Sequence, residues 1–520
     1  MIPVLSKDQM RAFDADASAR CHVSGLVLME NAGRGAAELV EKLARAGAAP
    51  GGGLAPLIVC GTGNNGGDGL VLARQLLVRG LTPKVLVVGA ASKFSAETRA
   101  EFEALVAIGG DVALVTPEAA EGALLGQLSS AGVIVDALFG IGLDRELLPP
   151  WPQLLGLLNA ANAVRVALDI PSGIHADSGQ PLGAALVAHH TVTFAAPKLG
   201  MLTTVGADHT GQIHIVPIGV PGPSLGSGIS GRILETADVS KLLVARAVSA
   251  HKGSVGRVAV VAGSPGKVGA AFLCARGALR AGAALVTLVG FADTTSVFAE
   301  RVTEEMTATL EGADIEGSVR EALRGMDVVV VGPGFGLGER ERRVVAAILA
   351  EFSGKVVVDA DALTHFAGRA ADLAASKARL VLTPHPGEMG RLLGISAQDV
   401  EANRFSVLER AVRLTGQAVL LKGPRTLIGA PGEVPFVNRV GSPALATGGS
   451  GDVLSGIVGA LCLRLSPFEA AACAAFLHGQ SGQNFSDITG ADRGLLAREI
   501  ADGVPEVLAA LAGPSLSLPL

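Results

Sequence analysis

From residue 57 onward, short unbroken apolar runs alternate with segments whose apolar residues recur at helical spacing. LIVC (57–60) leads through a glycine-rich loop into GLVLARQLLVRG, and KVLVVG (84–89) precedes the amphipathic stretch SAETRAEFEALVAIGG. VIVDALFG (133–140) and VRVALDIPSG are two more such runs, and HHTVTFAAPKLG and QIHIVPIGV read as closing strands. Runs without polar alternation suit strands buried on both faces, so the pattern predicts a parallel sheet covered by helices. The first 50 residues read as helical, with SKDQM as a cap and first turn.

The segment PGPSLGSGISG (221–231) has too little apolar surface to order itself and reads as a flexible linker. Beyond it the rhythm restarts with RVAVVAGS, LVTLVG, DVVVVGPGFG, KVVVDADAL and RLVLTPHPGE, then AVLLKG and TLIGA. A helix-opening string, ATGGSGDVLSGIVGALCLRL, follows, and SPFEAAACAAFLHGQSG reads as the last helix. The expected organisation is two α/β domains, 1–220 and 232–515, each of three layers around a mostly parallel sheet.

Composition narrows the function. The chain has 520 residues, 49% of them hydrophobic and only 17% charged, which excludes a disordered protein. A net charge of −6, one Trp and no Tyr give neither a basic stripe nor stacking platforms, so no nucleic-acid partner is expected. The apolar runs are too short to span a bilayer and the N-terminus lacks an export pattern. A cytoplasmic protein without a membrane partner, and a homo-oligomer, are the expectation. The five cysteines lack CxxC spacing and read as buried small hydrophobes in a reducing compartment.

In parallel sheets ligands sit beyond the carboxyl ends of the strands. In the first half these ends carry GTGNNGGDG (61–69), DALFGIGLDRE (136–146) and DIPSGI (169–174). The first offers glycine N–H groups at a helix start, suited to phosphate, together with Asn64, Asn65 and Asp68. Asp136 and Asp169 each close a strand; such an Asp also serves as a simple cap. Lys198 in FAAPKLG reads either as a helper in the same site or as a solvated surface lysine.

These motifs, in this order, resemble the NAD(P)H-hydrate epimerase domain that forms the N-terminal half of bacterial bifunctional NAD(P)H-hydrate repair proteins. The resemblance covers 1–220 and implies a Rossmann-like domain. It also implies that Asn64, Asn65, Gly66, Gly67 and Asp68, with Gly140, Ile141, Gly142, Leu143, Asp144, Arg145 and Glu146, bind the hydrated nucleotide. By the same resemblance Asn65, Asp136 and Ser172 hold K+, and Asp169 contacts the substrate as the acid/base. A hard monovalent cation suits oxygen ligands, and epimerising a hydroxyl-bearing carbon needs a proton donor and acceptor.

In the second half the most specific string is LATGGSGDVLSG (445–456). Its glycines and the following helix gather N–H groups and the positive helix end, and Asp452 stands inside that turn. There a carboxylate can take a hydroxyl's proton while the N–H groups stabilise a transferring phosphoryl group. An Asp that merely answers the helix dipole leaves the glycines unexplained. LKGPRT (421–426) is a strand-end turn suited to a nucleotide, and GPGFG (332–336) permits close backbone approach. His385, between two prolines of LTPHPGE, reads as a site residue or a turn residue, and GSPGKVGAA as a small-residue helix start or a plain turn.

This half resembles the ribokinase-like fold, and within it the ADP-dependent NAD(P)H-hydrate dehydratases, over 235–510. The resemblance implies that Ala270, Gly334, His385 and Asp452 line the hydrate site, with Asp452 catalytic. Lys422, Gly423, Pro424, Arg425, Thr426 and Gly451 would bind the nucleotide. Mg2+ would arrive with the phosphates, since it keeps waters and borrows phosphate oxygens. The expected activity is repair of hydrated NADH and NADPH, by epimerisation in the first domain and ADP-dependent dehydration in the second. A ribokinase-class kinase of a small-molecule alcohol, with an accessory first domain, is the rival. A nucleotide-binding scaffold without turnover has no use for acid/base carboxylates in such loops.

Overall fold

The computed structural model describes residues 1–47, 55–221, 228–247 and 249–512. The chain separates into two compact units, residues 2–231 and residues 232 onward. Most of the linker segment, 222–227, lies outside the described residues.

The first unit opens with a short strand β1 (Ile2–Val4) and helices α1 (Lys7–Cys21) and α2 (Gly25–Arg45). Ser6 caps α1 through a reciprocal pair with Gln9, as SKDQM predicts. The sheet comprises β2 (Leu57–Cys60), β3 (Lys84–Val88), β4 (Asp111–Val115), β5 (Val133–Ala137), β6 (Val164–Leu168), β7 (His190–Phe194) and β8 (Gln212–Val216). Its seven strands run in the order β4-β3-β2-β5-β6-β7-β8, and every pairing is parallel. Strand β4, DVALV, is partly exposed and carries a polar start, so the apolar-run pattern passes over it.

Alternate side chains of these strands feed two cores. Ile58, Cys60, Val85, Val87, Val133 and Val135 pack on one face with Leu70, Leu72 and Ala36 of the helices. Leu57, Val59, Leu86, Val88 and Ile134 pack on the other with Leu154 and Leu158. Three layers follow from this doubly apolar sheet. The order reverses between β2 and β5, and the crevice beyond that reversal is where a ligand finds room.

In the second unit β9 (Gly231–Ile233) comes first along the chain. Next come β10 (Arg257–Val261), β11 (Leu285–Phe291), β12 (Met306–Leu310), β13 (Val328–Val331), β14 (Lys355–Val358) and β15 (Arg379–Leu382). β16 (Ala418–Leu421), β17 (Thr426–Gly429) and β18 (Phe436–Asn438) complete it. The order is β9-β18-β17-β16-β15-β14-β13-β10-β11-β12, parallel except where β17 runs against both neighbours. SPFEAAACAAFLHGQSG opens a helix, Pro467–Thr489, but it is not the last: Ala497–Ala512 follows and buries Ile500, Val504 and Val507. Pro505 inside that segment masks its helical period in the sequence.

Four cysteines are buried as expected, whereas Cys21 is exposed, at the last position of α1. Among the described residues no helix is long and apolar enough to cross a membrane.

Candidate functional sites

The glycine-rich loop after β2 is shorter than its sequence suggests. Gly63 caps α3 (Asn64–Val78), so Asn64 and Asn65 form the first turn. Gly66 and Gly67 already lie inside the helix, and the Gly67 N–H is taken by the Gly63 carbonyl. A Cβ on Gly66 would stand 2.0 Å from the Gly61 carbonyl oxygen, and one on Gly67 2.6 Å from the end of Met29. These two glycines therefore serve close packing, and neither lines the cavity beside them.

Asn64, Asn65 and Asp68 do face a cavity of about 840 Å³ at the switch point. Gly140, Ile141, Gly142, Leu143, Asp144, Arg145 and Asp169 line it too. Glu146 is exposed and lies outside the lining. Gly140 is required for close approach: a Cβ there would lie 3.0 Å from Asp169 Oδ2 and 3.3 Å from Asn65 Cβ. The next N–H, of Ile141, donates to Asp169 Oδ2 at 3.3 Å.

Asp169 leaves β6 with φ at +64°, a left-handed conformation uncommon for a residue with a side chain. Lys198, 0% exposed, donates to Asp169 Oδ1, to Thr193 Oγ1 at 2.9 Å and to the Phe194 carbonyl at 3.3 Å. It is no surface lysine. Its chain position is fixed by Leu5 and Leu199, whose N–H groups donate to the Pro197 and Leu5 carbonyls.

Helix α1 supplies a further part of the lining, which no motif in the sequence signals. Met10, Asp14 and Ser18, four residues apart on α1, face the cavity together with Arg11. Burial, then the charge of Asp169, pushes the Asp14 carboxyl up to about 6, with Lys198 opposing. Burial together with Asp169 and Asp14 holds Asp68 well above the carboxylate range. Asp14 and Asp68 thus share one buried ammonium with Asp169, and burial and like charge raise the proton affinity of both.

Asp136 and Ser172 meet directly. The Ser172 hydroxyl donates to Asp136 Oδ1 at 2.7 Å and its N–H to Oδ2 at 2.8 Å. Burial lifts Asp136 to about 6 against these bonds. Asn65 is buried, lines the cavity, and has no partner for either polar atom of its amide. An orphaned amide of this kind calls for a ligand.

In the second unit the string TGGSGD ends in a helix, Ser450–Leu461, capped by Gly449 at φ +88°. A Cβ at Gly449 would also strike Leu273 Cδ1 at 2.4 Å, so only glycine fits. Asp452 stands in the first turn, and Gly451 faces Lys422, whose Nζ would lie 3.4 Å from a Cβ at 451. Burial, then the neighbouring Asp359, lifts Asp452 to about 7 while Lys422 pulls the other way.

Lys422 organises this cluster. Its ammonium lies 2.8 Å from Asp359 Oδ1 and 3.7 Å from Glu388 Oε2. Burial works against its charge, but Asp359 and Glu388 outweigh that and raise its titration. Ser455 donates to the second Asp359 oxygen at 2.6 Å. Glu388 accepts from the His385 N–H at 2.8 Å, which places His385 as the cap of Pro386–Leu393 beside the cluster. His385 is thus both a turn residue and a neighbour of the site.

Ala270 and Gly334 face one another: a Cβ on Gly334 would be 3.0 Å from Ala270 Cβ. The Gly336 N–H donates to Asp361 at 2.9 Å, tying GPGFG to the strand end that carries Asp359. The 421–426 turn rests on Arg404, buried beneath it, which donates to the carbonyls of Leu421 and Lys422 at 3.2 and 3.1 Å. Gly423 leaves room for that guanidinium, 2.7 Å from where a Cβ would sit. Thr426 donates to the Gly423 carbonyl and Arg425 to that of Arg439, while Pro424 is exposed. Of the six nucleotide candidates, Lys422 and Gly451 stand at the Asp452 cluster, and Gly423 to Thr426 form the adjoining turn.

Each unit thus presents acids around a lysine beyond its strand ends, Lys198 buried and Lys422 partly so, which defines a two-site α/β enzyme. Residues 25–200 match the family model described as YjeF-related protein N-terminus, and residues 258–506 the one described as NAD(P)H-hydrate dehydratase. The chain is 38% identical over 513 residues, 96% of its length and 95% of the relative's, to the bifunctional NAD(P)H-hydrate repair enzyme Nnr of Moorella thermoacetica. To that of Escherichia coli it is 34% identical over 452 residues, covering 85% of this chain and 83% of the other. A solved ADP/ATP-dependent NAD(P)H-hydrate dehydratase from Bacillus subtilis, co-crystallized with ATP/Mg2+, aligns with 54% of this chain and 98% of its own, at 28% identity and TM-score 0.48. The chain belongs to the family of bifunctional NAD(P)H-hydrate repair enzymes.

Proposed function

We propose that the two sites act in series on hydrated NADH and NADPH, the first interconverting the R and S epimers and the second returning the S epimer to the reduced cofactor. ADP is the proposed phosphoryl donor, leaving AMP and phosphate.

In the second site the substrate hydroxyl meets Asp452, whose carboxylate takes its proton as the oxygen attacks the donor's terminal phosphorus. A base that titrates near 7 matches the working pH. The amides at the start of Ser450–Leu461 and the ammonium of Lys422 receive the charge of the phosphoryl group. The new phosphate ester then leaves as phosphate, driven by the ring-nitrogen lone pair. Loss of a proton from the adjacent carbon restores the double bond. Ala270, Gly334 and His385 are the proposed hydrate contacts, and the 422–426 turn with Gly451 the nucleotide contacts.

Among the described residues no group of His, Cys, Asp and Glu is arranged to hold a metal by itself. Mg2+ would therefore be carried by the nucleotide phosphates, where it neutralises their charge. In the first site Asn65, Asp136 and Ser172 supply oxygens that fit K+, the unpartnered Asn65 amide being the strongest indication. Bound there, K+ would contribute positive charge next to the substrate. Asp169, oriented by Lys198, is the proposed acid/base group of this site.

The reading rests on one observation: a base poised near neutrality, inside a glycine-started helix and close to the ammonium of Lys422. Its test is release of AMP and phosphate, one each per NADH regenerated, on mixing the protein with NADHX and ADP. Phosphorylated hydrate accumulating without NADH would contradict it.

A further inference from the structure

We infer that Asp14 is a second catalytic residue of the epimerase site, lining the same cavity as Asp169 from a different element. The inference rests on the epimerase reading above and names the partner that reading lacks.

Inverting a hydroxyl-bearing carbon next to a ring nitrogen needs chemistry on both faces of the ring. Protonation of the hydroxyl lets the nitrogen lone pair expel it as water, leaving a planar iminium cation. Water must then add from the opposite face and give up a proton. One carboxyl on one wall reaches one face only. Here Asp169 projects from the sheet end, held by Lys198 and the Ile141 N–H. Asp14 projects from α1, which forms another part of the lining through Met10, Asp14 and Ser18.

The wall carrying Asp14 is anchored to the loops of the site. The Lys7 N–H donates to Asp177 at 2.7 Å, and its ammonium pairs with Asp144 of the 140–146 loop. The first turn of α1 is therefore tied to the same loops that line the cavity. Among the described residues no hydrogen bond or ion pair engages the Asp14 carboxylate, which lines the cavity and is open to substrate.

In one direction the Asp14 carboxyl protonates the departing hydroxyl, and the Asp169 carboxylate takes the proton of the incoming water. One C–O bond breaks, one forms, and one proton passes from Asp14 to Asp169. The reverse reaction retraces the path with the roles exchanged. Asp68, Asp144, Arg11, Arg145 and Lys198 are the other charged groups around the pair.

The test uses the full chain and each pure NADHX epimer without ADP, followed by chromatographic separation of the epimers. Asp14→Asn is expected to lower kcat for interconversion by about 10²–10⁴-fold, while ADP-dependent dehydration of S-NADHX is unchanged. Asp14→Glu, which keeps an ionisable carboxyl, is expected to recover part of the loss. Asp14→Ser substitutes if the Asn variant does not fold. A folded variant with wild-type kcat, or with a raised KM alone, overturns the role of Asp14. Wild-type protein that interconverts neither epimer overturns the epimerase reading itself and the role with it.

Discussion

The ammonium of Lys422 lies 2.8 Å from the carboxylate of Asp359, although the two leave strands separated by β15. Burial first raises the proton affinity of Asp452, and this pair then tunes it, Asp359 adding to the rise and Lys422 opposing it. Asp452 must be ionised to accept a proton, so dehydration should rise with pH through about 7. Asp359→Asn removes a like charge and should move this limb to lower pH. Lys422→Met should move it higher. Rate profiles of kcat/KM for S-NADHX between pH 5 and 9 check both signs.

Asp452→Asn removes the base and keeps the shape. Dehydration should fall by about 10²–10⁴-fold, with ADP affinity by calorimetry unchanged. A fall in affinity that accounts for the whole loss would mean the carboxylate only holds the helix start.

Asp169→Asn leaves Lys198 buried without its counter-charge. Removing one partner of a buried pair costs about 3–5 kcal/mol, so the unit should melt earlier as well as lose epimerisation. The double variant, Asp169→Asn with Lys198→Met, removes both partners together, leaves no unpaired charge and should melt closer to wild type. Thermal unfolding of both variants separates the two effects.

Gly140→Ala places a methyl 3.0 Å from Asp169 Oδ2 and against Asn65. Interconversion of the epimers should collapse while ADP-dependent dehydration continues, since the second site is untouched. Equal loss of both activities would place the fault in folding.

Much of this was legible in the chain. Buried parallel strands need apolar residues on both faces, so nearly every central strand announced itself. The edge strand β4 did not, because its exposed face admits polar residues. Asp136 and Asp169 were found as acids closing strands. Asp359 closes KVVVD by the same pattern, and the rule applied there would have found it. Asp14 was hidden for a different reason: it lies in a polar helix, and only the tertiary fold turns that face to the cavity. Gly66 and Gly67 show that a glycine admitting a ligand and one admitting close packing look alike in sequence. Lys198 shows the converse, since nothing local distinguishes a lysine in water from one buried on a carboxylate.

The central claim is that two sites drain both epimers of a damaged cofactor through one phosphoryl-dependent exit. Racemic NADHX mixed with ADP and the full chain tests it most directly, with NADH absorbance as the readout. Wild type should convert the whole mixture, Asp169→Asn only about half of it before stalling, and Asp452→Asn essentially none. Full conversion by the Asp452 variant, or no NADH from wild type, would contradict the account.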